Sequence, residues 1–376
     1  MDFHRNAPVR TLHLLLLLIT LFWAPISFSY PDLVRHGYVN CNTCHTSHSG
    51  GDLLTPYGRS LNKEILASPF SFVKIEEGNQ NPDKPWLQWG FNSKLLQSFV
   101  ENSASSKARF MIMQVQADVL MSYQDILDFY VSIGRQESSK PEPKPQDYIY
   151  LPEFWVRSNS YINVKEEDPL SLQIKIGKFT PAYGLKFQEH TFVVRRDLGF
   201  APGNEKFNLE AMAQYQNHEW TASKLWSSSL IDKQNQDEGY LIRYAYLFNE
   251  HLKIGINAYR TQDKNYLGLF ALRGLEKNKY LLMEVDQKIN SQNEKGYLET
   301  LKFGREFTKG IQGFIIQEYE NLQIERTNPH IESYGVGVHY FPSPYLNLEA
   351  LYKKEKNTGV MYEFQNIMWL VGHLSF

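Results

Sequence analysis

The chain has 376 residues with 39 Lys plus Arg against 41 Asp plus Glu, a formal net charge of -2. Nothing in that near-neutral balance argues for nucleic acid or for a polybasic contact with a membrane surface. Aromatic residues make up 14% of the chain, with 23 Tyr and 23 Phe, whereas there are only two Cys.

The first 29 residues read as a processing segment, to be set apart from the fold. Arg5 and Arg10 form a positive start, Leu12 to Trp23 an apolar stretch broken by His13 and Thr20, and Ser27 and Ser29 a small-residue cleavage site before Tyr30. The apolar stretch is short for a membrane-spanning helix, so export is expected. No later run is long and apolar enough to make one either.

Residues 30–85 form a second unit. Its Cys41-Asn42-Thr43-Cys44-His45 spells C-x-x-C-H and contains both cysteines of the chain. That spacing is the attachment pattern of haem c: two thioethers from Cys41 and Cys44, with His45 as the proximal iron ligand. A zinc site on Cys41, Cys44, His45 and His48 would crowd four ligands into eight residues, tighter than structural zinc spacings. A redox disulfide would call for a strand–helix setting of thioredoxin type, which is missing here. About fifty-five residues are too few for a substantial core, so the unit is expected to be a small plug built around the macrocycle. Leu61 to Leu66 reads as a helical turn or two, and Lys74 to Pro85 as a linker. For the second axial position the candidates are His36 within the segment, and His339 and His373, which strand phasing puts on inward-facing positions near one rim. His48 is too close to His45 to reach the opposite face, and Met111 and Met113 phase onto the lipid side.

From residue 86 to 376 the pattern is alternation. Phe207, Leu209, Ala211, Ala213 and Tyr215 share one face, with Asn208, Glu210 and Gln214 on the other. Leu252, Ile254, Ile256 and Ala258 repeat this, as do Leu346, Leu348, Ala350 and Tyr352 against Asn347, Glu349 and Lys353. Period two gives each run one apolar and one polar face. Mean hydropathy of -0.43 does not oppose a membrane location, because barrel strands average apolar outer residues with polar inner ones.

About sixteen such runs can be placed: 87–99, 108–121, 126–136, 148–163, 170–179, 207–216, 219–228, 239–248, 252–261, 266–275, 279–289, 296–307, 311–321, 332–341, 346–355 and 364–376. Short connectors such as Asn217-His218 and Lys309-Gly310 alternate with long ones such as 137–147, 180–206, 229–238 and 323–331. The expected fold is all-β, a transmembrane antiparallel β-barrel of about sixteen strands, in the bacterial outer membrane with both termini periplasmic. A closing strand with Phe364, Met368, Leu370, Leu374 and terminal Phe376 on one face resembles the signal read by outer-membrane assembly machinery. A propeller would show a repeat, and a sandwich would rarely need so many strands.

Gly177 to Gly184, with His190-Thr191 and Arg195-Arg196-Asp197, resembles porins of the phosphate-selective type, in which a long loop folds into the lumen. That resemblance implies a constriction with Lys186, Arg195 and Arg196; the plainer alternative is a solvated external loop.

Pro31 and Arg35 ahead of C-x-x-C-H, and Leu54-Thr55-Pro56-Tyr57-Gly58-Arg59 behind it, resemble the fused monohaem cytochrome–porins of iron-oxidation type over about thirty residues. Gly37 and the inserted Gly50-Gly51 depart from that pattern. The resemblance implies electron transfer through one covalent haem held in a barrel, with Fe(II) as an external donor, a periplasmic cytochrome as acceptor, and activity as an Fe(II) oxidase. The alternative is an anion-type porin with a haem-bearing structural or gating plug. No Ser-His-Asp, paired-carboxylate or phosphate-loop constellation can be assigned.

Overall fold

A computed structural model describes residues 31–47, 50–51, 53–69, 86–124, 126–135, 149–165, 168–187, 189, 192–201, 203–226, 238–276, 278–321, 330–359 and 363–375. The export segment, His48, the linker 74–85, the connectors 137–147 and 323–329, His190-Thr191 and Phe376 lie outside the described residues.

Seventeen strands make one sheet. The first eight are β1 (Leu87–Glu101), β2 (Ser106–Tyr123), β3 (Leu127–Arg135), β4 (Ile149–Tyr150), β5 (Phe154–Lys165), β6 (Asp168–Phe179), β7 (Lys206–Tyr215) and β8 (His218–Trp226). Then come β9 (Gly239–Asn249), β10 (Leu252–Thr261), β11 (Lys264–Leu275), β12 (Lys279–Asn290), β13 (Lys295–Thr308), β14 (Ile311–Asn321), β15 (His330–Ser343), β16 (Leu346–Asn357) and β17 (Gln365–Ser375). Both β4 and β5 pair with β3, so they share one position and the wall has sixteen. Every pairing is antiparallel, and β17 closes on β1 from Asn92↔Ser375 to Glu101↔Asn366. Closure leaves no strand edge, as a sheet in lipid requires. These positions match the alternation in the sequence, because each run has a face for lipid and a face for the lumen.

The two faces are inverted relative to a soluble protein. Along β7, Leu209 is 40% exposed on the outside while Glu210 is 2% exposed inside. Ile242, Ile256, Ile315 and Val336 lie on the outer surface, and Glu219, Asp286, Lys302 and Lys353 are buried in the lumen. An apolar outer band around a charged interior is what hydrocarbon on one side demands.

One position runs against the alternation. Between Lys94 and Leu95 the β1–β2 register shifts, and Met113 is the residue skipped in β2. A bulge reverses which side chains face outward beyond it. Phe110, 60% exposed, and Ile112 therefore turn outward. Met111 pairs with Leu96, a buried residue, on the lumen side rather than the lipid side.

Residues 216–217, 250–251, 276–278, 309–310 and 344–345 connect strands at one end of the barrel, and both residue 86 and the end of β17 lie there. At the other end the connectors 102–105, 262–263 and 291–294 are short, so long and short loops alternate only in part.

Much of the lumen is packed. The described residues of the 180–205 connector fold inward instead of lying outside as a solvated loop. Tyr183, Leu185, Phe187, Phe192, Val193, Val194, Leu198 and Phe200 form a core with wall residues such as Leu241, Phe270, Tyr280 and Phe314. The loop carries a short helix, α2 (Val193–Arg196), after α1 (Pro56–Leu61) of the N-terminal segment. Its polar ends are tied to wall carboxylates. The Leu185 amide donates to Glu284 (2.7 Å), the Val193 amide to Glu318 (2.8 Å), and the Tyr183 hydroxyl to Asp286 (2.6 Å).

Candidate cofactor site in the barrel mouth

The described residues between 31 and 69 pack against the wall at the short-turn end of the barrel. Cys41–Thr43 is a single 3₁₀ turn, with the Cys44 amide donating to the Cys41 carbonyl (3.2 Å) and the His45 amide to the same oxygen (2.8 Å). Three-residue spacing on one turn puts the two thiols on the same side. His45 then leaves the turn and bridges to Leu54.

The Leu54–Arg59 stretch is the support of that turn. Thr55 caps α1: its hydroxyl accepts from the Gly58 amide (3.0 Å) and donates to the Thr43 carbonyl (3.1 Å), while its own amide donates to the Cys44 carbonyl (2.9 Å). Pro56 occupies the first turn, where no amide donor is needed. The helix thus starts at Pro56, ahead of the expected Leu61, and continues through a π turn over Asn62–Leu66. Leu33, Leu54, Leu61 and Leu66 close over Cys44 with Phe341 and Tyr345 of the wall. At the solvent edge Tyr38 and Tyr57 share a hydroxyl–hydroxyl bond of 2.9 Å, which raises the Tyr38 phenol to about 12.

Contacts hold the plug to opposite parts of the wall. Arg35 donates to Glu306 of β13 (3.0 Å), Asn62 to the Pro344 carbonyl (2.6 Å), and the Ser68 amide to the Phe341 carbonyl (2.9 Å). On the far side Arg157 of β5 donates to the Thr46 carbonyl, and Asn42 to Gln214 of β7 (3.2 Å).

A cleft of about 650 Å³ of interatomic space, partly open to solvent, is lined by Cys41, Cys44 and His45. Leu33, Val39, Leu185 and Leu272 give it apolar walls, and Lys186, Arg243 and Lys253 reach it as cations. Gly50 and Gly51, both left-handed (φ +86° and +83°), bring the chain back beside Cys41. No disulfide links the two cysteines. The buried Arg243 Nε has no acceptor among the described residues. Paired thiols, an adjacent imidazole, apolar walls and an unsatisfied cationic donor suit a covalent macrocycle with acidic substituents.

Among the described residues, His36, His339 and His373 do not line this cleft. His36 meets Glu306 (3.1 Å), His373 meets Asn92 (2.8 Å), and His339 stacks on Phe314 beside Lys302 and Asn347. His339 and His373 do face the lumen, as the phasing placed them.

Sequence reading missed the cluster around His339. Glu189, His339 and Glu349 bring ligand-type atoms within 4.8 Å of one another. Lys302 already meets Glu189 at 2.5 Å, so the group reads as a buried ion network between loop and wall. Of the loop cations, Lys186 donates to the Gly50 carbonyl (2.7 Å), Arg195 to the Phe200 carbonyl, and Arg196 pairs with Asp197 and Glu320. Desolvation holds the Arg195 guanidinium down at about 10.

Beside the cleft lies a polar vestibule of about 1630 Å³ of interatomic space, open at the short-turn end. Asn42 and His45 form one side, and Gln88, Asn159, Gln173 and Gln214 the other.

A closed sixteen-position antiparallel barrel with an inward-folded loop defines a porin-like fold. No family model matches the chain, and no curated protein matches its sequence. Solved porins do match its structure. OprB of Pseudomonas putida aligns with a TM-score of 0.60 at 9% identity, covering 78% of this chain and 95% of that one. The anion-selective porin of Comamonas acidovorans gives 0.56 at 10% identity over 77% and 99%. OmpT, an outer-membrane protein of Vibrio cholerae, gives 0.53 at 9% identity over 77% and 99%. The likeness is one of fold and spans the barrel.

Proposed function

We propose that this chain is an outer-membrane electron-transfer barrel of the cytochrome–porin type, with one haem c bonded to Cys41 and Cys44 and ligated by His45. The observation that carries this reading is the position of the C-x-x-C-H turn. It lies within the barrel mouth on an apolar cleft and is clamped to the wall from two sides.

When bound, the haem supplies a one-electron couple, accepting an electron as an external Fe(II) becomes Fe(III) and releasing it to a periplasmic cytochrome. The chain's residues set where that couple sits. The apolar band of a barrel is about 25 Å tall, so a group recessed in the mouth is nearer to the outer face than one on a periplasmic tail. Leu33, Leu185 and Leu272 give the cleft apolar walls that lower its polarity around the group. The vestibule brings solvent and a docking partner to the His45 side. The short-turn end, carrying both ends of the barrel and the plug, faces the periplasm in this reading.

Haem-stained gels and a pyridine haemochrome spectrum on purified outer membranes test attachment. Stopped-flow mixing of the oxidised protein with Fe(II) tests the donor: no haem reduction under any condition removes the oxidase reading. A second reading, an anion-type porin with a haem-bearing plug, is favoured by the likeness to an anion-selective porin. Planar-bilayer conductance separates the two, because a packed lumen passes little ion current.

A further inference from the structure

The cleft beside Cys41, Cys44 and His45 is bounded on its wall side by two cations, Arg243 of β9 and Lys253 of β10. They are 4% and 1% exposed. Both turn to the same carboxylate. Glu219 of β8 takes Nη1 of Arg243 on one oxygen and Nζ of Lys253 on the other, the latter at 2.7 Å. Glu284 of β12, also buried, accepts the Leu185 amide.

Burial penalises any charge or polar donor in this group that lacks a partner. The Arg243 Nε adds a specific deficit: it is a buried guanidinium donor with no acceptor among the described residues. Leaving such a donor unmet costs about 1–3 kcal/mol or more. The guanidinium also lies over the Phe270 ring, 4.6 Å from its centroid. That stacking leaves its edge as the surface available for hydrogen bonding. An anion with two acceptor oxygens matches this deficit.

Haem c carries such groups. Its two propionates leave the porphyrin from the edge opposite the vinyl carbons that the cysteines take. In the cleft the thiols are on the plug side and Arg243 with Lys253 on the wall side, so a macrocycle fixed at Cys41 and Cys44 would extend its acidic edge to the wall. We infer that Arg243 and Lys253 anchor a haem propionate, with Glu219 holding both cations in position. The inference rests on the haem reading and adds the wall residues that orient the group and tune its potential.

The test is an equilibrium redox titration of the haem-loaded full-length protein at several pH values through the neutral range. In the wild type the anchored propionate stays ionised, so the midpoint potential is flat with pH. Arg243→Gln removes compensating charge. The potential falls, and it declines further with rising pH as the freed propionic acid titrates. Lys253→Gln gives the same sign with a smaller shift and carries the readout if Arg243→Gln fails to fold. Arg243→Lys restores most of the wild-type potential. Arg196→Gln, whose guanidinium pairs with Asp197 and Glu320 instead, leaves both potential and pH profile unchanged. Haem-loaded Arg243→Gln and Lys253→Gln proteins with wild-type potential and a flat profile overturn the anchor alone. A colourless wild type removes the haem reading, and the anchor with it.

Discussion

Gly58 lies against the backbone of Cys44 so closely that a Cβ there would stand 2.9 Å from the Cys44 α-carbon. The first turn of α1 can approach the C-x-x-C-H turn only because this residue has no side chain. Gly58→Ala therefore pushes α1 outward and tilts Cys44 and His45 out of register. Overpacking of this kind costs about 1–3 kcal/mol. Haem per polypeptide on stained gels should fall clearly below wild type, with the barrel still inserted; unchanged attachment would mean that the helix has slack.

Thr55 holds the same interface by hydrogen bonds. Its hydroxyl serves the Gly58 amide as a cap and the Thr43 carbonyl as a donor. Thr55→Ala removes both and should cost about 1–2 kcal/mol, the range for a lost N-cap. Thr55→Ser keeps the hydroxyl and stays near wild type. Protease sensitivity of the plug in detergent reads the difference, and equal digestion of both variants would contradict the cap's role.

Arg35 and Glu306 join plug to wall. The Arg35 side chain is fully buried, and its Nε donates to Glu306 at 3.0 Å while Nη1 donates to the Asp32 carbonyl at 2.7 Å. Breaking a buried pair strands one charge and costs about 3–5 kcal/mol, whereas replacing both partners by apolar groups can be nearly neutral. Glu306→Ala should release the plug to proteolysis without unfolding the barrel. Arg35→Met with Glu306→Leu and Asp32→Asn, which also removes the buried carboxylate that Arg35 meets at 3.2 Å, should release it far less. Equal loosening in the single and triple variants would assign the effect to lost shape, not lost charge.

Much of this architecture is legible in the sequence, for a physical reason. A strand between lipid and lumen must alternate, so Leu209 against Glu210 and Ile256 against Asn257 mark both the strand and its faces. The Met111 reversal was not legible, because a bulge depends on a partner strand seventeen residues away, at Lys94 and Leu95. The inward fold of 180–205 rests on pairings such as Tyr183 with Asp286 and Val193 with Glu318, more than a hundred residues apart in sequence. Arg243 and Lys253 were not singled out by the sequence, where they are two among many cations on the polar faces of the strands. What distinguishes them is a shared carboxylate and an unmet donor, which only the folded wall assembles.

The Tyr38–Tyr57 bond at the solvent edge of the plug predicts an alkaline weakness. Hydrogen bonding to Tyr57, with a smaller effect of burial, raises Tyr38 from 10.0 to about 12. Its neutral form is thus favoured in the folded plug. The associated stability is fully present below 10.0 and is lost as pH rises through about 12. Tyr57→Phe removes the main cause, so tyrosinate absorbance of Tyr38 should appear at lower pH than in wild type. If the alkaline titration of the variant overlays the wild type, the hydroxyl pair contributes nothing to the plug.

The packed loop makes the last prediction, on conductance. Tyr183 stacks on Phe200 at 4.6 Å between centroids, and Phe200 meets Tyr259 of β10 edge-on at 5.6 Å. The Tyr183 hydroxyl is fixed to Asp286. Truncating a buried aromatic to alanine costs about 3–5 kcal/mol, enough to loosen a loop that packing holds inside the barrel together with a few wall contacts such as Leu185 and Val193 to Glu284 and Glu318. Phe200→Ala combined with Tyr183→Ala should convert a nearly silent bilayer trace into resolved ion-conducting openings, since the wall strands do not depend on the loop for their ladder. Arg196→Gln, which alters charge on the same loop without touching this stack, should leave the lumen closed. A double variant as silent as the wild type would show that the N-terminal plug alone seals the barrel.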